Sequence, residues 1–203
     1  PHQPANTVPV TEVTGTTRLQ FAEVKQMEVF ERRDAAVVLW GTFVFGYDGD
    51  TVDSFDHTLA FALEGDLSAL RIPDFLTSGQ AGGLWRHTCF EAFVMAEEGP
   101  GYREFNFSPS GEWAVYEFRG YRDGGVLENE HAPGIVVHQS MDRLKLRAEI
   151  GQDLFPRGRP LRLGLSAIVE DAAGLLSYWA LRHPAGKPDF HHADAFALQL
   201  ELP

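Results

Sequence analysis

Aromatic side chains in this sequence lie close to residues with planar hydrogen-bonding groups, a combination suited to sugar recognition. An aromatic ring can stack on the apolar C–H side of a sugar, while carboxylates, amides and guanidinium groups bond to its hydroxyls. We expect Trp85 and Trp113 to stack on a ligand. The side chains expected to form hydrogen bonds around them are Arg86, Glu91, Asn106, Tyr121, Arg122 and His191.

A purely structural role is the alternative for these residues. Aromatic side chains mostly pack, so Trp85 and Trp113 could instead plug the ends of the fold while Glu91 pairs with an arginine. The sequence leaves both interpretations open, because they differ only in where the side chains point.

A second polar cluster lies in the segment RHPAGKPDFHHAD, residues 182–194. Pro184 and Pro188 exclude a regular strand ladder there, so we expect an ordered loop that contributes to the site. Its candidate ligand-binding residues are His183, Lys187, Asp189 and His191.

The same loop could hold a divalent metal ion. Asp189 and His191 share a side if the chain is extended, and His87 could approach from another loop, which gives ligands suited to zinc. Adjacent histidines point apart in an extended chain, so His191 and His192 would not both bind one ion. Since the spacing fixes no ligand set, a loop held by hydrogen bonds is the alternative.

Haem binding needs two axial donors, usually Met or His, on opposite walls of an apolar slot. No recognisable pair occurs, and methionines commonly fill space in cores. A haem or metal carrier is therefore an alternative function. The conceivable donors are Met27, Met95 and Met141 with His57, His87 and His138.

Catalytic motifs are weaker than the binding motifs. Ser110 lacks the flanking glycine of a nucleophile elbow, and Cys89 lies between apolar residues, as a buried hydrophobe does. Glu91 and Glu104 could face each other across adjacent strands, but hydrolase spacing cannot be read from a sequence. We expect a non-catalytic protein, with a hydrolase or isomerase using the loop at residues 183–192 as a third alternative.

The elements that must position these residues are strands. In the segment YREFNFSPSGEWAVYEFRGYR, residues 102–122, two alternating runs bracket a Ser-Pro-Ser-Gly turn. Phe105 and Phe107 point one way and Glu104 and Asn106 the other, which is typical of a half-buried hairpin. The chain predicts further strands at residues 19–32, 36–45, 57–63, 88–95, 135–138, 143–150, 161–169, 175–181 and 195–202.

Gly- and Asp-rich turns separate these strands, and helical periodicity is not evident. They fall at residues 46–56, 65–66, 98–101, 108–111, 123–125 and 171–174. The acidic run at 46–56 lacks the offsets of a calcium loop and predicts a solvated turn. Such spacing predicts an all-β antiparallel sandwich, and no linker divides residues 1–203, so we expect a single domain.

Composition limits the classes of partner that this chain is expected to bind. The net charge of -12 and the absence of a basic run argue against nucleic acid. Cys89 is the only cysteine, which excludes an intrachain disulfide. No 18-residue apolar stretch and no signal peptide are visible, so we expect no membrane span and a cytoplasmic location. Because the sequence begins at Pro1, a periplasmic or secreted location stays open.

Three segments carry a resemblance to a known family. They are LWRHTCFEAFVM at residues 84–95, YREFNFSPSGEWAVYEF at 102–118 and YWALRHPAGKPDFHHADAFALQLEL at 178–202. Together they resemble bacterial DOMON-like domains, which are similar to carbohydrate-binding module family nine. The resemblance covers residues 60–203, whereas residues 20–56 depart from it.

The resemblance implies a jelly-roll-like or immunoglobulin-like β-sandwich whose relatives recognise sugars or haem. It carries over to the loop at residues 183–192 and to Trp85, Glu91, Asn106 and Trp113. A small polar ligand, most plausibly a saccharide, is therefore the expected partner.

Overall fold

The computed structural model describes residues 25–29, 38–45, 57–96, 98–128, 132–156 and 160–200. Within these ranges the chain forms thirteen strands and four single 3₁₀ turns, and no α-helix. No helix in the described ranges is long and apolar enough to cross a membrane. The strands are β1 (Lys25–Val29), β2 (Val38–Phe45), β3 (His57–Glu64), β4 (Gly79–Gln80), β5 (Cys89–Ala96), β6 (Tyr102–Phe107), β7 (Glu112–Gly120), β8 (Asp123–Val126), β9 (Gly134–Gln139), β10 (Arg143–Ile150), β11 (Leu161–Glu170), β12 (Leu176–Ala180) and β13 (Leu198–Leu200).

The first sheet has five antiparallel strands in the order β1-β2-β3-β10-β9. Strand β10 shows how the sequence fixes its orientation, because Leu144, Leu146 and Ala148 are buried while the charged residues between them are exposed. Such alternation is expected of a sheet with one face on the core and one in water.

The second sheet follows the order β12-β11-β5-β6-β7-β4. All its pairings are antiparallel except the short parallel contact of β4 with β7. Strand β13 also pairs with β11, and β8 also pairs with β7.

The main core lies between the two sheets. Phe61 of the first sheet stacks on Phe90 of the second, with ring centroids 5.0 Å apart. Leu59, Leu146 and Phe105 belong to the same buried cluster. The predicted all-β antiparallel sandwich is confirmed.

Several elements differ from the expected pattern, among them the short strand β4, which the sequence pattern does not predict. Residues 123–125 form strand β8 on the edge of β7 and not a turn. Gly124 allows this close pairing, because a Cβ there would lie only 2.0 Å from the Glu117 carbonyl oxygen. Near the C-terminus, the described residues show a 3₁₀ turn at Ala193–Ala195 and a strand limited to Leu198–Leu200. The acidic run at residues 46–56 lies outside the described residues.

Trp113 belongs to the core and not to a binding surface. Its pairing with Phe107 puts it on the inward face of the second sheet, where it is 3% exposed. Its indole N–H has no hydrogen-bond partner among the described residues. The expectation that this ring stacks on a ligand beside the turn is therefore corrected, since a ring between the sheets offers no face to a ligand.

We expect Trp113→Ala to lower the free energy of unfolding by about 3 to 5 kcal/mol, because it empties space in a closely packed core. Trp113→Phe should cost much less, since the indole N–H forms no bond that the phenyl ring would lose. Urea denaturation of the two variants measures the difference. Equal stability of Trp113→Ala and the unsubstituted protein would contradict this placement.

Candidate functional site

The outer face of the second sheet carries an unusual row of polar residues. Because Phe90 and Ala92 point into the core, Glu91 points outward, and the same alternation applies to the neighbouring strands. Pairing between strands places Asn106 beside Glu91, and Glu91 beside Ser166. All three side chains are buried, although they lie on the face that points away from the core.

A second row on this face lies one step along the strands. Glu104 pairs with Tyr116 on one side and with Phe93 on the other. Glu104 is therefore a diagonal neighbour of Glu91, within reach of its long side chain. It is also buried, with 6% of its surface exposed.

Among the described residues, few groups donate to the two carboxyls. The Ser166 hydroxyl donates to Glu91 Oε2 at 3.1 Å, and the Asn106 Nδ2 amide donates to Glu104 Oε1 at 2.9 Å. Asn106 Oδ1 is buried and has no partner among the described residues. A buried acceptor of this kind costs free energy unless a donor satisfies it.

Burial makes both carboxyls weak acids. It raises the pKa of Glu104 to about 7, and it raises the pKa of Glu91 well above its ordinary value with help from the negative charge of Glu104. The positive charge of Arg122 and the donated hydrogen bonds oppose these shifts without cancelling them. The pair is therefore only partly ionised near neutral pH.

A loop, residues 182–197, covers one part of this face. Phe190 and Phe196 pack with Phe93 and Tyr102 in a second apolar cluster. The loop lies directly on the sheet at Gly164, where a Cβ would be 2.9 Å from the Ala195 carbonyl oxygen. This contact fixes the distance between the loop and the polar rows.

His191 connects the loop to the polar rows that contain Glu91 and Glu104. Its Nδ1 lies 2.8 Å from the Tyr102 hydroxyl, and its Nε2 lies 3.6 Å from Glu104 Oε2. The ring also packs edge-on against Phe93 and Phe118, with centroids 5.2 Å away in each case. Burial and the charge of Arg122 lower the pKa of His191 to about 4, so the imidazole is neutral at neutral pH.

The contacts of the Tyr102 hydroxyl are compatible with one tautomer of His191 in particular. The hydroxyl accepts the backbone N–H of Arg122 at 3.1 Å, and its own proton is free to be donated to Nδ1. In that tautomer the ring hydrogen is on Nε2, the atom that faces Glu104.

Arg122 occupies a strained position in the turn between β7 and β8. Its φ of 55° lies in the left-handed region, which is uncommon for a residue other than glycine. Its guanidinium bonds to Asp189 Oδ1 at 2.9 Å. Strain of this kind persists only where surrounding contacts hold it, and it is frequent at binding sites.

Asp189 joins this turn to the loop. It accepts from the Tyr121 hydroxyl at 2.6 Å, from Arg122, and from the His191 backbone N–H at 3.2 Å. Burial would raise the pKa of Asp189, but these hydrogen bonds outweigh it and hold the pKa below its ordinary value. The carboxylate is therefore ionised and fixes the wall formed by Tyr121 and Arg122.

The opposite part of the same face is covered by the turn Leu84–Arg86. Leu84 packs on Cys89 and Ala114, two outward-facing residues of the sheet. Next to it, Trp85 leaves 46% of its surface exposed, and the Arg86 guanidinium lies 5.1 Å from its ring. Trp85 therefore offers the aromatic surface that Trp113 does not.

The structure brings most of the predicted residues to this face. Glu91, Asn106, Tyr121, Arg122, Asp189 and His191 form one connected set, with Trp85 and Arg86 on the turn beside it. Lys187 is exposed on the loop, and His183 lies against Phe190, with the ring centroids 6.0 Å apart. Sequence reasoning considered Glu104 only as a possible catalytic partner of Glu91 and left Tyr102 and Ser166 out of the site, although alternation in the strand Tyr102–Phe107 already groups Tyr102 and Glu104 with Asn106.

The candidate metal ligands do not gather at one point. His87 Nδ1 lies 2.8 Å from Glu170, which also accepts from Arg71, whereas Asp189 and His191 have the separate contacts given above. No group of three or more His, Cys, Asp or Glu side chains suited to a metal ion occurs among the described residues. Of the conceivable haem ligands, Met141 is 93% exposed, and the side chains of Met27 and His57 lie outside the described part of the chain.

One solved structure has a fold similar to that of this chain. No protein-family model and no curated protein matches this chain. A candidate carbohydrate-binding protein from Bacteroides uniformis is similar in structure, with a TM-score of 0.61 and 13% identity over 85% of this chain and 84% of that one. This likeness supports the β-sandwich fold.

Two similar structures are of a family 9 carbohydrate-binding module from Caldicellulosiruptor kristjanssonii. The complex with cellotriose has a TM-score of 0.44 and 8% identity, over 89% of this chain and 83% of that one. The complex with glucose has a TM-score of 0.43 and 10% identity, over 89% and 84%.

We expect Glu104→Gln to stabilise the protein in a pH-dependent way. The pKa of Glu104 rises from an ordinary 4.5 to about 7 on folding, so the folded state loses stability as pH increases through this interval. The variant removes that loss, and it should be more stable than the unsubstituted protein by roughly 1 to 3 kcal/mol near pH 8 but not near pH 4. Urea denaturation at both pH values measures this difference.

Glu98→Gln is the matched control, because it removes a charge of the same type from an exposed position. It should change stability little at either pH. A Glu104→Gln variant that is less stable than the unsubstituted protein near pH 8 would contradict the burial argument.

Proposed function

We propose that this protein is a non-catalytic carbohydrate-binding module of the DOMON-like type, with its site on the outer face of the second sheet. The observation that carries the proposal is the unpartnered Asn106 Oδ1, buried beside the two weakly acidic carboxyls of Glu91 and Glu104. A ligand with many hydroxyls can supply hydrogen bonds to buried polar groups that the chain itself leaves without a partner.

The surrounding groups supply the other parts of a sugar site. Trp85 offers an exposed indole on which the apolar side of a sugar ring can stack. Arg122 and the Nε2–H of His191 are donors for sugar oxygens, and Arg122 is held in place by Asp189. The site is thus preorganised, which lowers the free-energy cost of binding.

The proposal is supported by the similarity in structure to a candidate carbohydrate-binding protein from Bacteroides uniformis. The alternatives of a haem carrier, a metal carrier or a hydrolase gain no comparable support from the described residues.

We expect isothermal titration calorimetry to detect binding of soluble oligosaccharides, tested first with cellotriose. Trp85→Ala should weaken the affinity about tenfold, because it removes the stacking surface. Arg122→Lys should weaken it to a similar extent, since lysine keeps the charge but loses the fork geometry. Met141→Ala is the control, because Met141 is exposed on the hairpin of the other sheet and is outside the site.

Two results would count against the proposal. One is the absence of heat with every oligosaccharide tested. The other is an affinity that neither Trp85→Ala nor Arg122→Lys changes, which would place the binding surface elsewhere.

A further inference from the structure

The polar rows of the outer face hold more acceptors than donors. Glu91 receives a hydrogen bond from Ser166 alone among the described residues, and Glu104 receives one from Asn106. Asn106 lies beside Glu91 in the pairing of β5 with β6, bonds to Glu104 through Nδ2, and leaves Oδ1 unpartnered. Once the two carboxyls are ionised, three acceptor groups therefore meet at one place in the sheet.

The charged groups around these acceptors are also unbalanced, with more acidic groups than basic ones. Arg122 is the cation that acts on both carboxyls, but its guanidinium is bonded to Asp189 and its side chain is 53% exposed. His191, the other basic group in contact with Glu104, is neutral at neutral pH. Two carboxyls thus share one cation that is already paired.

Ligand groups differ in how well their hydrogen-bond donors and acceptors match these acceptor groups. A sugar hydroxyl brings one donor together with acceptor lone pairs that need donors in turn. An ammonium group brings three donors and no acceptor, and its attraction to a carboxylate is strong where water is largely excluded. The net charge of -12 on the whole chain also favours the approach of a cation.

We propose that Glu91, Glu104 and Asn106 Oδ1 form a subsite for a protonated amino group, so that the preferred ligand is a saccharide with free amines. This inference rests on the proposed carbohydrate-binding function and makes it more specific. Binding of the ammonium lowers the pKa of both carboxyls, which release their protons to solvent and then supply the charge, and the carboxamide oxygen supplies the third acceptor. Trp85 stacks on the ring, as it would for a neutral sugar.

Three trimers with the same β-1,4 linkage test the subsite, because they differ only at C2 of each ring. The glucosamine trimer carries amines, the N-acetylglucosamine trimer carries acetamides, and cellotriose carries hydroxyls. Calorimetry should be performed at one ionic strength and near pH 7, where Glu104 is about half ionised and a sugar amine can still carry a proton. We expect the glucosamine trimer to bind at least about tenfold more tightly than the other two.

Variants assign this preference to the carboxyls. Glu91→Gln and Glu104→Gln should each reduce the preference for the amine, measured as the ratio of the affinities for the glucosamine trimer and for cellotriose, to about twofold or less. Glu98→Gln removes an equal charge from an exposed position and should keep the preference. Thermal melting of each variant confirms that it folds, which we expect because neither buried carboxyl stabilises the fold in its ionised form.

The outcomes separate this inference from the proposed function. If cellotriose binds and the glucosamine trimer binds no better, the amine subsite is wrong and the carbohydrate site stands. A preference that survives both glutamine variants, or that is lost equally in Glu98→Gln, would also overturn the subsite. If none of the trimers binds, both proposals fail.

Discussion

Burial of two carboxyl groups on one face of a sheet is the constraint on which the rest of this molecule depends. The core fixes it, because Phe90, Ala92 and Phe105 must point inward and so turn Glu91 and Glu104 outward, beneath the loop and the turn that cover this face. Burying charge costs free energy. Hydrogen bonds from Ser166 and Asn106, the contact with His191 and the positive charge of Arg122 offset part of this cost. These groups reduce the cost without removing it, and we propose that a ligand supplies the hydrogen bonds that are still missing.

The titrations of this cluster oppose one another. Acidification from pH 7 towards 4.5 relieves the cost of ionised Glu104, since its pKa is raised on folding. Over a similar interval, from 6.5 towards 4, acidification removes the stability that neutral His191 provides, because the pKa of His191 is lowered on folding. The two effects have opposite signs and overlapping ranges, so they partly offset each other in weakly acidic solution. The ion pair of Arg122 with Asp189 holds the surrounding wall in place over the same interval, because the pKa of Asp189 lies below its ordinary value.

Alternation along single strands predicts much of the fold and part of the site. It groups Glu104 with Asn106 and opposes both to Phe105 and Phe107, as the structure has them. It does not say which face of the next strand joins the core, and the position of Trp113 depends on that choice, made by its pairing with Phe107. The contacts of Glu91 with Ser166 and of Tyr102 with His191 join residues far apart in the chain, so no local pattern reveals them. The strained backbone of Arg122 is equally invisible, since arginine gives no sign of a left-handed position.

Burial keeps the Glu104 carboxyl only partly ionised near neutral pH, and we propose that a ligand can reach it. A ¹³C NMR titration of the Glu104 carboxyl carbon, assigned by comparison with Glu104→Gln, measures its ionisation. We expect a midpoint near pH 7, moved downward when a saccharide bearing free amines is bound. A midpoint near the ordinary value of 4.5 in the free protein would mean that the carboxyl is solvated, and the proposed site would then be wrong.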